Sequence, residues 1–521
     1  MTQAMTPAGG DFNIIPYVSR PFRQSHPARL AALAAIFGLP APELARCRVL
    51  ELGCAAGGNL IPLAARWPEA RFHGIDLTER HVADGRRRIA ALGLDNITIQ
   101  QGDIADARLD GAPYDFILCH GVYSWVPERV RQGILDICAT RLADNGVAYV
   151  SYNVLPGWHM RNVIREMMLL HAGTSGEPGP RIARARWVVE NIAKTAAHGT
   201  PFGEMLRGEA QLLARCDDSY IFGEFLVENN DPCYFRDFLA KAEASGLTYL
   251  CESELHQCLP ENISPDTGAL IRTMAAGQLG LIEQYMDFFK ARTFRQSLLV
   301  KAAQGARIQR NLTPERMRAL HVSGNLSYSY NAGAAQPHVF KSALGQIATA
   351  SDIVRIALQG LAAAYPETRT VDELAAEVRS AVPSAPPPEA LILDAVFQML
   401  VAGIVEPQSV ATRISRANEP KPTAWSLARH DAGQGATWTT NLLHEPINLD
   451  VVMQLLLPLL DGTRDRAALR DAVLQAVRDG RLTLSDTRTG LPIRDEHRAE
   501  TEVDLLVRST LDKMASSALF G

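Results

Sequence analysis

Residues 48–59 read RVLELGCAAGGN. The apolar run 49–52 carries an acid, Glu51, and leads into a turn built on Gly53, Gly57 and Gly58, after which 60–67 has a helical pattern. Strand, tight glycine turn, helix is the opening unit of a doubly wound α/β domain. The glycines let the backbone approach a ligand, and the following helix adds unpaired N–H groups. A second strand-like run, 71–75, ends at Asp76, and a third, 97–101, ends in Gly102-Asp103-Ile104. A carboxylate at the second strand tip can accept hydrogen bonds from both hydroxyls of a ribose.

The ordered set ELGCAAGG, GID, QGDI and YDFILCHGVYSWV resembles the class I S-adenosylmethionine-dependent methyltransferases. That resemblance implies a Rossmann-like fold with S-adenosyl-L-methionine as cofactor. It places the methionine part of the cofactor on Glu51, Gly53 and Gly57, the ribose on Asp76, and the adenine on Asp103 with Ile104. It brings Cys54, Ala55, Asn59, Leu77, Gly102, His120, Gly121 and Tyr17 to the same cofactor crevice. Ala55 stands where many members have a middle glycine, and the expectation is that its φ stays negative. The turn lacks the second glycine of G-x-G-x-x-G, which argues against a nicotinamide enzyme.

Composition narrows the classes. The chain has 521 residues, enough for two to four domains, and a net charge of −5. Charges of both signs are interspersed, so there is no electrostatic footprint for nucleic acid. No apolar run reaches the length of a membrane span, and the start, MTQAMTPAGGDFN, lacks the pattern of a signal peptide. Eight cysteines without a C-x-x-C pair suit a reducing cytoplasm. The cluster CESELHQC, 251–258, matches no zinc spacing, so no metal is expected.

Along the chain, 1–46 reads as a lid segment, with Tyr17, Phe22, Arg23 and His26 as lid candidates and a helix over 28–37. Residues 47–260 read as the methyltransferase domain. Helices fall at 79–92 and 128–142, strands at 116–120 and 147–152, and a helix–Gly–strand unit at 232–250. A helical insertion at 172–226 reads as an oligomerisation or gating element. Residues 281–300 read as an amphipathic helix inside a helical regulatory domain, 261–335. The stretch 332–337 reads as a linker. Mainly helical, winged-helix-like domains are expected at 336–420 and 421–521, joined by a polar linker at 416–421; overall acidity favours protein contacts for them over DNA.

The leader PYVSRPFRQSHP, the loops HGVYSWVP and SYNVLPGW, and the segments QYMDFFKARTFRQSLL and LLDGTRDRAAL resemble one bacterial family. Its members carry a methyltransferase regulatory domain and are best known from rickettsial protein-lysine methyltransferases of outer membrane protein B. The resemblance implies N-methylation of lysine on a protein substrate by a homodimer. Tyr123, Trp125, Tyr152, Asn153 and Trp158 are the expected lining of the acceptor channel, because aromatic faces suit a sulfonium and a methylated ammonium. A small-molecule methyltransferase using His120 or His159 as base, and a silent cofactor-binding protein, stay open at this point.

Overall fold

The computed structural model describes residue 15 and residues 17–384, 386–414, 419–485, 493 and 495–521. The chain divides into two compact units. The first comprises Met1–Ser19, Phe37–Ala64 and Pro68–Arg310; the second comprises Arg20–Ile36, Ala65–Trp67 and Asn311–Gly521.

In chain order, α1 (Pro27–Ile36) precedes β1 (Arg48–Leu52), α2 (Leu60–Arg66), β2 (Arg71–Asp76), α3 (Glu79–Ala91) and β3 (Ile97–Gln101). Then come β4 (Tyr114–Cys119), α4 (Glu128–Arg141) and β5 (Leu142–Asn153). The insertion is helical: α5 (Trp158–Ala172), α6 (Pro178–Thr195), α7 (Pro201–Leu213) and a short α8 (Asp218–Ile221) that runs into a π-helical turn, Phe222–Leu226. The first unit closes with α9 (Phe235–Ala244), β6 (Leu247–Glu252), α10 (Pro265–Ala275), α11 (Leu279–Lys290) and β7 (Phe294–Lys301).

These strands form one seven-stranded sheet in the order β3-β2-β1-β4-β5-β7-β6. β1 to β5 run parallel, and β7 is antiparallel to both β5 and β6. Parallel strands covered on both faces read as near-continuous apolar runs, which is why the expected strands 49–52 and 116–120 fall on β1 and β4. The order reverses between β1 and β4, and there the crevice opens at the carboxyl ends of the strands.

Two expectations fail here. Residues 281–300 are not one helix: α11 stops at Lys290, Ala291 takes a left-handed φ of 45°, and the chain leaves as β7. The last strand of the sheet therefore lies beyond the expected boundary at 260/261. Arg295 holds it in place. Its fully buried guanidinium donates to Asp287 Oδ1 at 2.9 Å, Glu252 Oε1 at 2.7 Å and Glu283 Oε2 at 3.0 Å.

In the second unit, β8 (His321–Ser323) pairs with β12 (Glu406–Gln408), and β9 (Ser327–Tyr330), β10 (His338–Lys341) and β11 (Gln346–Thr349) form a three-stranded sheet. The expected linker 332–337 is the hairpin turn between β9 and β10. Three helices, α12 (Asp352–Ala364), α13 (Val371–Ala381) and α14 (Glu389–Val401), lie between β11 and β12. Residues 416–418, half of the polar linker expected at 416–421, fall outside the described residues. The C-terminal module holds α15 (Ser426–Gly433), the hairpin β13 (Trp438–Thr440) and β14 (Pro446–Asn448), α16 (Val451–Leu456), α17 (Arg466–Arg478) and α18 (Glu496–Ser516) around one apolar core.

The leader divides between the units. Arg20–Ile36 belongs to the second unit, where Arg23 pairs with Glu445 and Glu406 and His26 lies edge-on to Trp67 and His444. Arg23 and His26 are thus committed to that unit's interior contacts instead of a cofactor lid.

Candidate active site

The glycine turn sits at the tip of β1. Gly53 has a φ of 75° and donates its N–H to Ile75 O at 2.8 Å; a Cβ there would stand 2.4 Å from Val122 Cγ2. Gly58 is demanded by the leader: a Cβ would meet Ser19 O at 2.1 Å, and its N–H donates to Ser19 Oγ at 2.7 Å. Tyr17, two residues before Ser19, is half-buried. Ala55 departs from expectation, with φ at 47°. A left-handed alanine costs roughly 1–2 kcal/mol, and its N–H is held by Asp76 Oδ2 at 2.8 Å.

Glu51 is buried behind this turn. Its Oε1 accepts from Asn59 Nδ2 at 2.8 Å, while Oε2 is buried with no partner. Burial, reinforced by Asp76 and opposed by the Asn59 bond, pushes its carboxyl up to about 8. A buried carboxyl with an unmet oxygen is a seat for a cation. Asp76 closes β2, its Oδ1 accepting from Thr78 N–H at 2.9 Å. Each of its oxygens keeps a second lone pair, so the carboxylate can take a diol as well. Gly102 donates its N–H to Asp76 O at 3.0 Å. Asp103 caps the next turn through Ala105 N–H at 2.9 Å and accepts from Arg129 at 2.6 Å. Leu77 is 42% exposed and Ile104 is buried. An ammonium seat, a diol acceptor and two apolar side chains near an acid match the amino-acid, ribose and adenine parts of S-adenosylmethionine.

At the tip of β4, Gly121 N–H donates to Ser151 Oγ at 2.8 Å. His120 Nδ1 is 2.8 Å from Tyr149 Oη, with the rings stacked at 5.8 Å. Burial lowers the His120 imidazole to about 3, so it is neutral and too weak a base to deprotonate a hydroxyl near pH 7. His159 is exposed on the first turn of α5.

The five expected acceptor residues separate into two groups. Strand alternation puts Tyr149, Ser151 and Asn153 on one face of β5 and Tyr152 on the other. Tyr152 stacks on Phe238 at 4.1 Å, Tyr123 meets the same ring edge-on at 5.3 Å, and both tyrosines are sealed in the core. Tyr152 Oη is within 3.0 Å of Ser297 Oγ, which donates to Glu252 Oε1 at 2.8 Å. These two side chains therefore do not line an open channel. Trp125 is half-buried, Trp158 is buried at 6.2 Å from it in an edge contact, and Asn153 N–H donates to Ser124 Oγ at 2.9 Å. Ser124, Ser151, Tyr149 and Arg129 were missed. The β5 alternation would have found Tyr149 and Ser151; Arg129 carries no local signal.

Three families match in succession: "Methyltransferase domain" over 49–146, "Predicted methyltransferase regulatory domain" over 217–301, and "PKMT, C-terminal winged helix domain" over 420–519. Protein RP789 of Rickettsia prowazekii is 31% identical over 521 residues, covering 98% of this chain and 93% of the relative. The chain belongs to this methyltransferase family. Protein RP028 of the same organism is 34% identical over 233 residues, 44% of this chain and 93% of its own length. PKMT2 from Rickettsia typhi, solved in complex with AdoHcy, superposes with a TM-score of 0.86 at 27% identity, covering 97% of this chain and 100% of its own.

The protein is an S-adenosylmethionine-dependent methyltransferase. The regulatory-domain match, 217–301, runs from α8 through β7 and so supplies two strands of the methyltransferase's own sheet. Among the described residues, no helix of the methyltransferase is long and apolar enough to cross a membrane.

Proposed function

We propose that this methyltransferase N-methylates lysine side chains of a protein and works as a homodimer in the cytoplasm. The observation that carries the reading is the likeness to PKMT2 along 97% of the chain, together with a winged-helix match that bears the same designation, read as protein-lysine methyltransferase. S-adenosylmethionine supplies an electrophilic methyl group on a sulfonium. Glu51 takes up the cofactor's ammonium, Asp76 its ribose hydroxyls, and Asp103, Leu77 and Ile104 its adenine. Lysine has an unperturbed pKa of about 10.4, so the acceptor must lose its proton before it can attack in line. Trp125 and Trp158 offer aromatic faces to the alkyl chain and the cationic product, and Asn153 offers a carbonyl.

Support for a dimer comes from the insertion, where Leu170 is 89% exposed and Met160, Val163 and Trp187 are also exposed. Eight free thiols suit a reducing compartment. The substrate class is tested with methyl-tritiated cofactor and a bacterial lysate: label should stay in acid-precipitable, protease-sensitive material. Label confined to the acid-soluble fraction would replace the protein acceptor with a small molecule. Sedimentation equilibrium, with Leu170→Glu as the disrupting variant, tests the dimer.

A further inference from the structure

Beside the Trp125–Trp158 pair lies a cluster of ionisable groups within the helical insertion. Arg161 of α5 stands over the Trp158 ring at 5.6 Å. It faces Glu209 of α7 at 3.5 Å, and Tyr220 of α8 bonds to it. Cys216 flanks the cluster from the turn after α7. Glu224 completes it from the π-helical turn Phe222–Leu226.

Charge and hydrogen-bond accounting leave the cluster unfinished. Two carboxylates share one guanidinium. Glu209 Oε2 is buried with no partner, and Glu224 makes no hydrogen bond or ion pair among the described residues, Arg161 being the charge that faces it. One more cation would neutralise the group and satisfy the unmet oxygens. The cluster connects to the cofactor crevice through two ring contacts: Arg161 to Trp158, then Trp158 to Trp125, on the turn that follows β4.

We propose that Glu224 and Glu209, beside Arg161, form an acceptor subsite that takes the ammonium group of a lysine side chain, with Trp158 and Trp125 as its walls. The inference rests on the lysine reading above and names the residues that select the substrate's charge. Burial holds the Glu224 carboxyl at about 7. An arriving ammonium stabilises its ionised form, so binding near pH 7 releases about half a proton.

The test is calorimetric titration of n-butylammonium into the full-length protein saturated with S-adenosylhomocysteine. Wild type should bind n-butylammonium but not n-butanol, with about half a proton released when buffers of different ionisation enthalpy are compared. Glu224→Gln should weaken binding at least tenfold and abolish the proton release, with S-adenosylhomocysteine affinity unchanged. Arg161→Gln, which removes the competing cation, should tighten n-butylammonium binding several-fold, and this arm decides if the first variant does not fold. No binding by wild type, or equal binding by Glu224→Gln, overturns the subsite. Methyllysine analysis keeps the two readings separate. A protein that binds n-butylammonium yet methylates no lysine keeps the subsite and loses the substrate. One that methylates lysine equally with Glu224→Gln keeps the substrate and loses the subsite.

Discussion

Replacing Asp76 with alanine should remove most cofactor affinity while leaving the sheet in place. The carboxylate holds two backbone donors, Ala55 N–H at 2.8 Å and Thr78 N–H at 2.9 Å, and so joins the glycine turn of β1 to the tip of β2. His81 Nδ1 stands 3.4 Å from Oδ1. The remaining lone pairs are the ones a ribose diol would use. Hydrogen bonds to a charged group contribute about 1.5–3 kcal/mol each, so losing two to the ribose costs roughly 3–6 kcal/mol. At about 1.4 kcal/mol per decade, affinity should fall by two to four orders of magnitude. Asp76→Asn keeps the shape and one acceptor oxygen, and should fall between wild type and Asp76→Ala. The assay is calorimetric titration of S-adenosylhomocysteine, with circular dichroism as the folding control. A folded Asp76→Ala variant that binds within threefold of wild type would refute the ribose assignment and the reasoning behind it.

Other consequences are independent of that one. Glu51, raised to about 8 by burial, is mostly protonated at pH 7, and the cofactor's ammonium favours its ionised form. S-adenosylhomocysteine binding should therefore release about one proton near pH 7 and progressively less as pH rises through 8 and beyond; Glu51→Gln should abolish the release, as buffer-dependent calorimetric enthalpies will show. The same carboxyl is protonated in the folded state and ionised in the unfolded one between its ordinary range and about 8, so Glu51 lowers stability as pH rises through that window, and Glu51→Gln should flatten the dependence in urea titrations. Ala55→Gly relieves a left-handed alanine at φ 47° at the expense of backbone freedom, a net gain of roughly 0.5–1 kcal/mol, read as a higher urea midpoint. Arg295→Met strips Glu252, Glu283 and Asp287 of their shared partner; an uncompensated buried charge costs about 3–5 kcal/mol, so the variant should be recovered mostly insoluble, and a soluble protein with wild-type unfolding would contradict this.

The first five strands and the three acids at their tips were legible in the chain, for a physical reason. Buried parallel strands must be apolar, and the crevice at their carboxyl ends concentrates Gly and Asp. β7 was hidden because the break that starts it carries no glycine or proline. Ala291 at φ 45° ends α11, where such ends usually use glycine or asparagine. Ala55 misled in the same way. Tyr123 and Tyr152 read as channel residues because their ring partner, Phe238, is remote in sequence. Glu224 could not be read at all, since nothing in FGEFL marks a π turn.

The most direct test of the central claim is to incubate the protein with trideuteromethyl-labelled S-adenosylmethionine and a bacterial lysate, hydrolyse the precipitated protein, and analyse the amino acids by mass spectrometry. Labelled Nε-methyllysine, absent with Asp76→Ala, is the expected result. Label on another residue, or label equal in the variant, would contradict a lysine methyltransferase working through this crevice.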